Sequence, residues 1–159
     1  MNSDQPVDLN KPGIRRYVKA DFPSVVDLLR LNTPEYFSPT EEVDLNNYLL
    51  YEVEFFYVSV LENRIVGCGG INLSADRKKA RISWDIIHPE FQRKGIGGQL
   101  LKHRMKVISS MQEVKEVEVR TSQLAWRFYE RNGFVLQEVL RDYWAKGYDL
   151  YRMVFVPES

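Results

Sequence analysis

The run Gln92-Arg93-Lys94-Gly95-Ile96-Gly97-Gly98 constrains this chain more than any other stretch. Before it, Ala80 to Ile87 reads as a strand that His88-Pro89 ends, because proline cannot donate to a sheet ladder. After it, Leu101, Met105, Ile108 and Met111 form one apolar helical stripe with Leu100 beside it, over a segment reaching from Gly95 to Met111. A strand, a glycine loop and a helix in that order point to a mixed α/β chain. Unpaired N–H groups at a helix start, with the helix dipole behind them, favour an anion, and glycines let a phosphate come close. Arg93 and Lys94 add positive charge at the same place. Two common phosphate loops are excluded. The P-loop spacing is absent, and Leu100 stands where a dinucleotide fingerprint needs its last glycine.

The rest of the chain alternates in the same manner. Ile14 to Lys19 reads as a short strand. Asp21 is placed to cap a helix with Pro23 in its first turn and Val25, Val26, Leu28, Leu29 and Leu31 on its apolar face. Thr33-Pro34 breaks that pattern, and a second helix is expected from Thr40 to Tyr51 with Val43, Leu45, Leu49 and Leu50 inward. Phe55 to Leu61 and Ile65 to Leu73 read as a hairpin about Glu62-Asn63-Arg64. Gly67, Gly69 and Gly70 mark a close backbone approach in its second strand. Val117 and Val119 alternate with charged residues in a further strand, Leu124 to Arg131 is helical, and Phe134 to Tyr143 and Tyr148 to Val156 are the final strands. The organisation expected is a polar, flexible lead-in over residues 1–12 and one domain over 13–159.

Composition narrows the function. Lys+Arg and Asp+Glu are 22 each, so the formal net charge is zero and binding to nucleic acid through bulk charge is not expected. One cysteine, Cys68, excludes an internal disulfide and a cysteine zinc cage; it reads as a buried thiol. With His88 in a turn and His103 on an exposed helix face, no metal site is expected. No apolar run reaches the roughly 20 residues of a membrane helix, and the start lacks the apolar segment of a signal peptide, so a cytoplasmic protein without membrane attachment is expected.

The segment from Ile87 to Leu101 resembles the acetyl-CoA-binding motif of the GCN5-related N-acetyltransferase (GNAT) superfamily, Arg/Gln-x-x-Gly-x-Gly/Ala, met here by Gln92, Gly95 and Gly97. A second resemblance lies downstream in Ala125, Phe128-Tyr129-Glu130 and Asn132-Gly133-Phe134, where Ser122 departs from the usual asparagine. The resemblance spans Ile14 to Val156. It implies an α/β (α+β) fold with a mixed, mostly antiparallel central sheet of about seven strands, four helices, and strands four and five splayed. It also implies acetyl-CoA as cosubstrate: pyrophosphate on the backbone of Arg93, Lys94, Gly95, Ile96, Gly97 and Gly98, the pantetheine arm along Ile86 and Ile87, and Ser122 beside the arm.

The implied reaction is direct attack of a primary amine on the thioester in a ternary complex. It needs a neutral amine, a stabilised oxyanion and a protonated leaving thiolate. Tyr129 stands at the family's general-acid position. Glu118, in Glu118-Val119-Arg120, resembles the strand of ribosomal-protein N-terminal acetyltransferases that carries the base, although its spacing to Tyr129 is one residue shorter. Glu116 on the same strand side and Asp85 near the splay are the other candidate bases. The segment Arg141 to Asp149 resembles the closing hairpin of that subgroup, so Tyr143, Trp144 and Tyr148 are expected to line an acceptor groove with Tyr36 and Phe37. The favoured acceptor is a protein N-terminus. A small-molecule amine, a non-catalytic CoA-binding module and a homodimer stay open.

Overall fold

The computed structural model describes residues 11–157. The expected lead-in therefore lies, apart from Lys11 and Pro12, outside the described residues. Seven strands form one sheet: β1 (Gly13–Arg16), β2 (Phe55–Leu61), β3 (Arg64–Leu73), β4 (Lys79–Ile87), β5 (Glu116–Thr121), β6 (Phe134–Ala145) and β7 (Tyr148–Phe155). Their order is β1-β2-β3-β4-β5-β7-β6, with β4–β5 parallel and the other neighbouring pairs antiparallel. The helices are α1 (Phe22–Leu31), α2 (Glu41–Asn47), α3 (Ile96–Ser109) and α4 (Trp126–Arg131).

The β2–β3 hairpin closes through Glu62 and Asn63, with φ of 52° and 61°, the paired left-handed conformation whose twist matches the strands. The parallel connection from β4 to β5 passes through α3, as a parallel pair requires a crossover. Two cores result. Val66, Ile71, Ala80, Ile82 and Val119 meet α3 and α4 on one face, and Val58, Cys68 and Ile86 meet α1 and α2 on the other.

Several details differ from the sequence expectations. Asp21 makes no side-chain cap of α1; its carboxylate instead closes the preceding 3-10 turn Lys19–Asp21 by accepting from the Val18 N–H at 2.9 Å, and pairs with Arg15 at 2.8 Å. Leu31, Val43 and Leu50 face outward, 53%, 62% and 59% exposed. The inward face of the second helical segment is instead Glu41, Leu45, Tyr48 and Leu49, the i, i+4, i+7, i+8 positions of one helical face, which leaves Val43 and Leu50 on the other side; the segment ends in a π-turn over Tyr48–Glu52. His103 is half-buried, its ring edge-on to Tyr57 at 4.6 Å.

Parallel pairing of β4 with β5 runs from Lys79↔Glu116 to Ile82↔Val119 and stops, although β4 continues to Ile87 and β5 to Thr121. The two strands part there. At the same level β4 carries a bulge: Gly70 opposes Ser83 and Cys68 opposes Ile86, so β4 spends one residue more than β3. Trp84 sits in that bulge with φ of 53°.

Candidate active site

A cavity of about 740 Å³ occupies the opening between β4 and β5. At one end it is walled by Gln92, Arg93, Gly95, Gly97 and Gly98, in the middle by Ile86, Ile87, Ser122 and Tyr129, and at the other end by Tyr36, Phe37, Trp144 and Tyr148.

The glycine-loop end is a helix start. Gly95 takes φ of 84°, which glycine adopts without penalty, and turns the chain into α3. The first helical bond is Gln99 N–H to Gly95 C=O at 3.0 Å. The N–H groups of Ile96, Gly97 and Gly98 precede it, which leaves three donors at the positive end of the helix. A phosphate fits that donor set and needs no side chain to do so. Not every expected loop residue contributes its side chain. Ile96 is buried in the core, and Lys94 lies over the Phe91 ring at 5.3 Å. Gln92 donates to Asn32 Oδ1 at 3.1 Å and to the Ile87 carbonyl at 3.2 Å. Asn32 donates to the same carbonyl at 3.0 Å, so the end of β4 is tied to both α1 and the loop. Asn32 was not singled out from the sequence. An amide closing a helix just before Thr33-Pro34 was the available signal.

In the middle of the cavity, Ile86 is buried in its wall, whereas Ile87 packs under Gly97. Ser122 holds the turn into α4: its hydroxyl accepts from the Leu124 N–H at 3.2 Å and its carbonyl from the Trp126 N–H at 3.1 Å. Tyr129 is 4% exposed, and its hydroxyl donates to Asp85 Oδ2. Burial, with the Asp85 charge alongside, pushes the Tyr129 phenol well above its ordinary value of 10.0.

The bulge at Trp84 explains how Asp85 reaches Tyr129. Ala80 and Ile82 face α3 and α4, so strict alternation would turn Trp84 to that side and Asp85 to the other. The extra residue places Trp84 on the α1–α2 side, against Phe37 and Tyr48, and turns Asp85 toward α3 and α4. There Arg104, fully buried, pairs with Asp85. Arg104 was likewise missed in the sequence. Its spacing of four residues from both Leu100 and Ile108 marks it as inward-facing, but an arginine on an apolar stripe has no visible partner until β4 is folded.

Glu118 is 1% exposed and is not among the residues lining the cavity. Its carboxylate meets Arg81 at 2.8 Å, Lys79 at 3.5 Å, Arg120 at 3.8 Å and Arg152 at 3.9 Å. Burial raises its pKa, but Arg81, Lys79 and Arg120 outweigh burial and hold the carboxyl below its ordinary 4.5. Glu118 thus faces four cations and stands outside the cavity wall, whereas Asp85 is part of that wall. Glu116 pairs with Lys79 at 3.1 Å.

At the far end Phe37 stacks on Trp84 with centroids 6.4 Å apart. The Tyr148 hydroxyl donates to the Pro34 carbonyl at 2.6 Å, which joins the β6–β7 hairpin to the segment after α1. Trp144 donates to the Thr121 carbonyl at 3.3 Å. Tyr143 lies outside the cavity wall, half exposed and edge-on to Trp144 at 5.0 Å.

A splayed α/β sheet with a glycine-bearing helix start at one end of the gap and an aromatic mouth at the other is the frame of an acyltransferase that takes a phosphate-bearing donor. The chain matches the Acetyltransferase (GNAT) domain over residues 52–136. An N-alpha-acetyltransferase of Saccharolobus solfataricus is 31% identical over 148 residues, covering 84% of this chain and 86% of the relative. Among solved structures, an aminoglycoside 6'-N-acetyltransferase complexed with coenzyme A superposes with a TM-score of 0.74 at 14% identity, covering 92% of this chain and 98% of the other. A ribosomal-protein alanine N-acetyltransferase of Escherichia coli superposes with a TM-score of 0.74 at 18% identity, covering 91% and 93%. This chain belongs to the GNAT acetyltransferase family.

Proposed function

We propose that the chain moves an acetyl group from acetyl-CoA to the α-amine of a protein N-terminus. The observation that carries this reading is the continuous cavity, because it joins an anion-binding helix start to an aromatic mouth through the β4–β5 gap. The pyrophosphate of CoA rests on the N–H groups of Ile96, Gly97 and Gly98, with Arg93 and Lys94 supplying positive charge at the loop. The pantetheine arm runs beside Ile86 and Ile87, with Ser122 opposite, and the thioester stops at Tyr129. The acceptor enters between Tyr36, Phe37, Trp144 and Tyr148, so its amine and the thioester meet at the middle of the gap.

That meeting is what the reaction requires. Holding amine and thioester together replaces an encounter in solution by attack within one complex. A free α-amine has a pKa of about 8 and is partly neutral at physiological pH, whereas a lysine amine at about 10.4 is not. A site with a caged Glu118 and, among the described residues, no unengaged carboxylate beside Tyr129 suits the first better. The similarity to an N-alpha-acetyltransferase along most of both chains supports the same acceptor class.

Thiol release from acetyl-CoA, followed with peptides that carry a free α-amine, a blocked α-amine with free lysine, or no peptide but a polyamine, tests the proposal. Turnover on the free α-amine peptides alone is expected. Turnover on polyamines or lysine alone would overturn the acceptor, and CoA binding with no turnover on any amine would favour a non-catalytic binding module. Tyr129→Phe, which keeps the ring and loses the hydroxyl, is expected to lower kcat by about 100-fold with little change in KM for acetyl-CoA.

A further inference from the structure

Arg104, Asp85 and Tyr129 form a buried cluster where β4, α3 and α4 meet. Arg104 uses Nε on the Leu100 carbonyl at 3.0 Å, Nη1 on the Gly70 carbonyl at 3.1 Å and Nη2 on Asp85 Oδ1. The second carboxylate oxygen of Asp85 accepts the Tyr129 hydroxyl. The phenol proton therefore points at Asp85, and the phenol oxygen keeps its lone pairs free in a residue that lines the cavity.

Three separate features of the chain serve this one cluster. The β4 bulge turns Asp85 inward. Gly69 leaves the room: a Cβ there would stand 2.5 Å from Asp85 Oδ1 and 2.6 Å from Arg104 Cζ. The apolar stripe of α3 gives up an inward position to Arg104. Stability alone accounts poorly for this, because a well-packed apolar replacement of a buried ion pair is often neutral or stabilising. Chemistry accounts for it better. A phenol beside a carboxylate cannot release its proton and wait as phenolate, since two negative charges would then stand together in a dry site. It can pass a proton only while taking another.

We propose that Asp85, fixed by Arg104, is a positioning residue that stores a proton behind Tyr129, so that the two work as one relay in acetyl transfer. This rests on the reading that the chain acetylates an amine. The amine nitrogen bonds to the thioester carbon, whose oxygen takes the negative charge while the nitrogen takes the positive. A proton moves from that nitrogen to Tyr129 Oη as the Tyr129 proton moves to Asp85 Oδ2. The oxyanion re-forms the carbonyl, the C–S bond breaks and its electron pair leaves on sulfur. The Asp85 proton then returns to Tyr129 as the Tyr129 proton passes to the thiolate. The products are an amide and the CoA thiol, and both residues end as they began.

Steady-state kinetics of wild type, Asp85→Asn, Tyr129→Phe and the variant carrying both test the relay. Asp85→Asn keeps the shape and cannot take the proton. It is expected to lower kcat by about 100-fold, with KM for acetyl-CoA little changed. Adding it to Tyr129→Phe is expected to lower kcat by less than about 3-fold more, because residues acting as one unit are non-additive. Since Asp85→Asn leaves Arg104 without a counter-charge, Asp85→Asn/Arg104→Met is measured beside it, with melting curves for both; the folded protein is expected to be as slow. The relay is overturned if a folded variant lacking Asp85 transfers at the wild-type rate, or if the losses from Asp85 and Tyr129 multiply. Wild-type protein that turns over no amine would instead overturn the acetyltransfer reading, and the relay with it.

Discussion

Glu118 offers one carboxylate to four cations, Lys79, Arg81, Arg120 and Arg152. At this scale its place is that of a counter-charge which lets Arg81 and Arg120 stand in the cavity wall. Glu118→Gln removes the charge and keeps the shape. It is expected to destabilise the protein by about 1–2 kcal/mol, because the carboxylate is buried while its four cations keep part of their contact with water, as read from urea unfolding. An undisturbed unfolding midpoint with lost turnover would return Glu118 to the role of base. The sequence made Glu118 look catalytic because a Glu-Val-Arg strand places it beside the right element. What decides its role is which cations surround it, and besides Arg120 on its own strand those come from β4 and β7, distant in the chain.

At the scale of elements, two glycines carry opposite predictions. Gly69→Ala would put a Cβ into the Asp85–Arg104 pair. A loss of about 1–3 kcal/mol is expected in thermal or urea unfolding, with slower turnover. Gly95 has nothing within 4 Å of its Cβ position but takes φ of 84°. Gly95→Val therefore strains the helix start rather than the core. It is expected to weaken acetyl-CoA binding, measured by calorimetry, while a Tyr129→Phe variant still binds. The strands were legible because alternation and turn chemistry agree along most of them: Phe55–Leu61 stands where its aromatic and β-branched pattern put it, and Asn63 sits in the turn that favours it. The Asp85 cluster was not legible, since one bulge reverses alternation within β4 and nothing in Ser83-Trp84-Asp85 announces it. Val43 and Leu50 were misplaced for another reason: the buried face starts at a charged residue, Glu41, and runs through Leu45, Tyr48 and Leu49, so following apolar residues alone picks the wrong side.

For the molecule as a whole, buried carboxylates set the acid limit. Glu118 is held below its ordinary 4.5 by its cations, and Asp21 below 3.8, chiefly by its bond with Arg15. Each binds its proton more readily unfolded than folded, so its stabilisation is complete above the ordinary value and is lost as pH falls through the lower folded value. Glu41, raised by burial, acts in the opposite sense as pH rises past 4.5. A fall in Tm below about pH 4.5 is expected, shallower in Glu118→Gln than in wild type. An identical fall in both proteins would remove Glu118 from this account.

The most direct test of the central claim counts both products of one reaction. Acetyl-CoA and a peptide with a free α-amine are incubated with the protein, and free CoA thiol and acetylated peptide are measured over the same time course. Direct transfer predicts equal amounts of each at every time, the acetyl group on the α-amine, and no thiol release without peptide. Thiol released without acetylated peptide, or CoA bound with neither product formed, would contradict it.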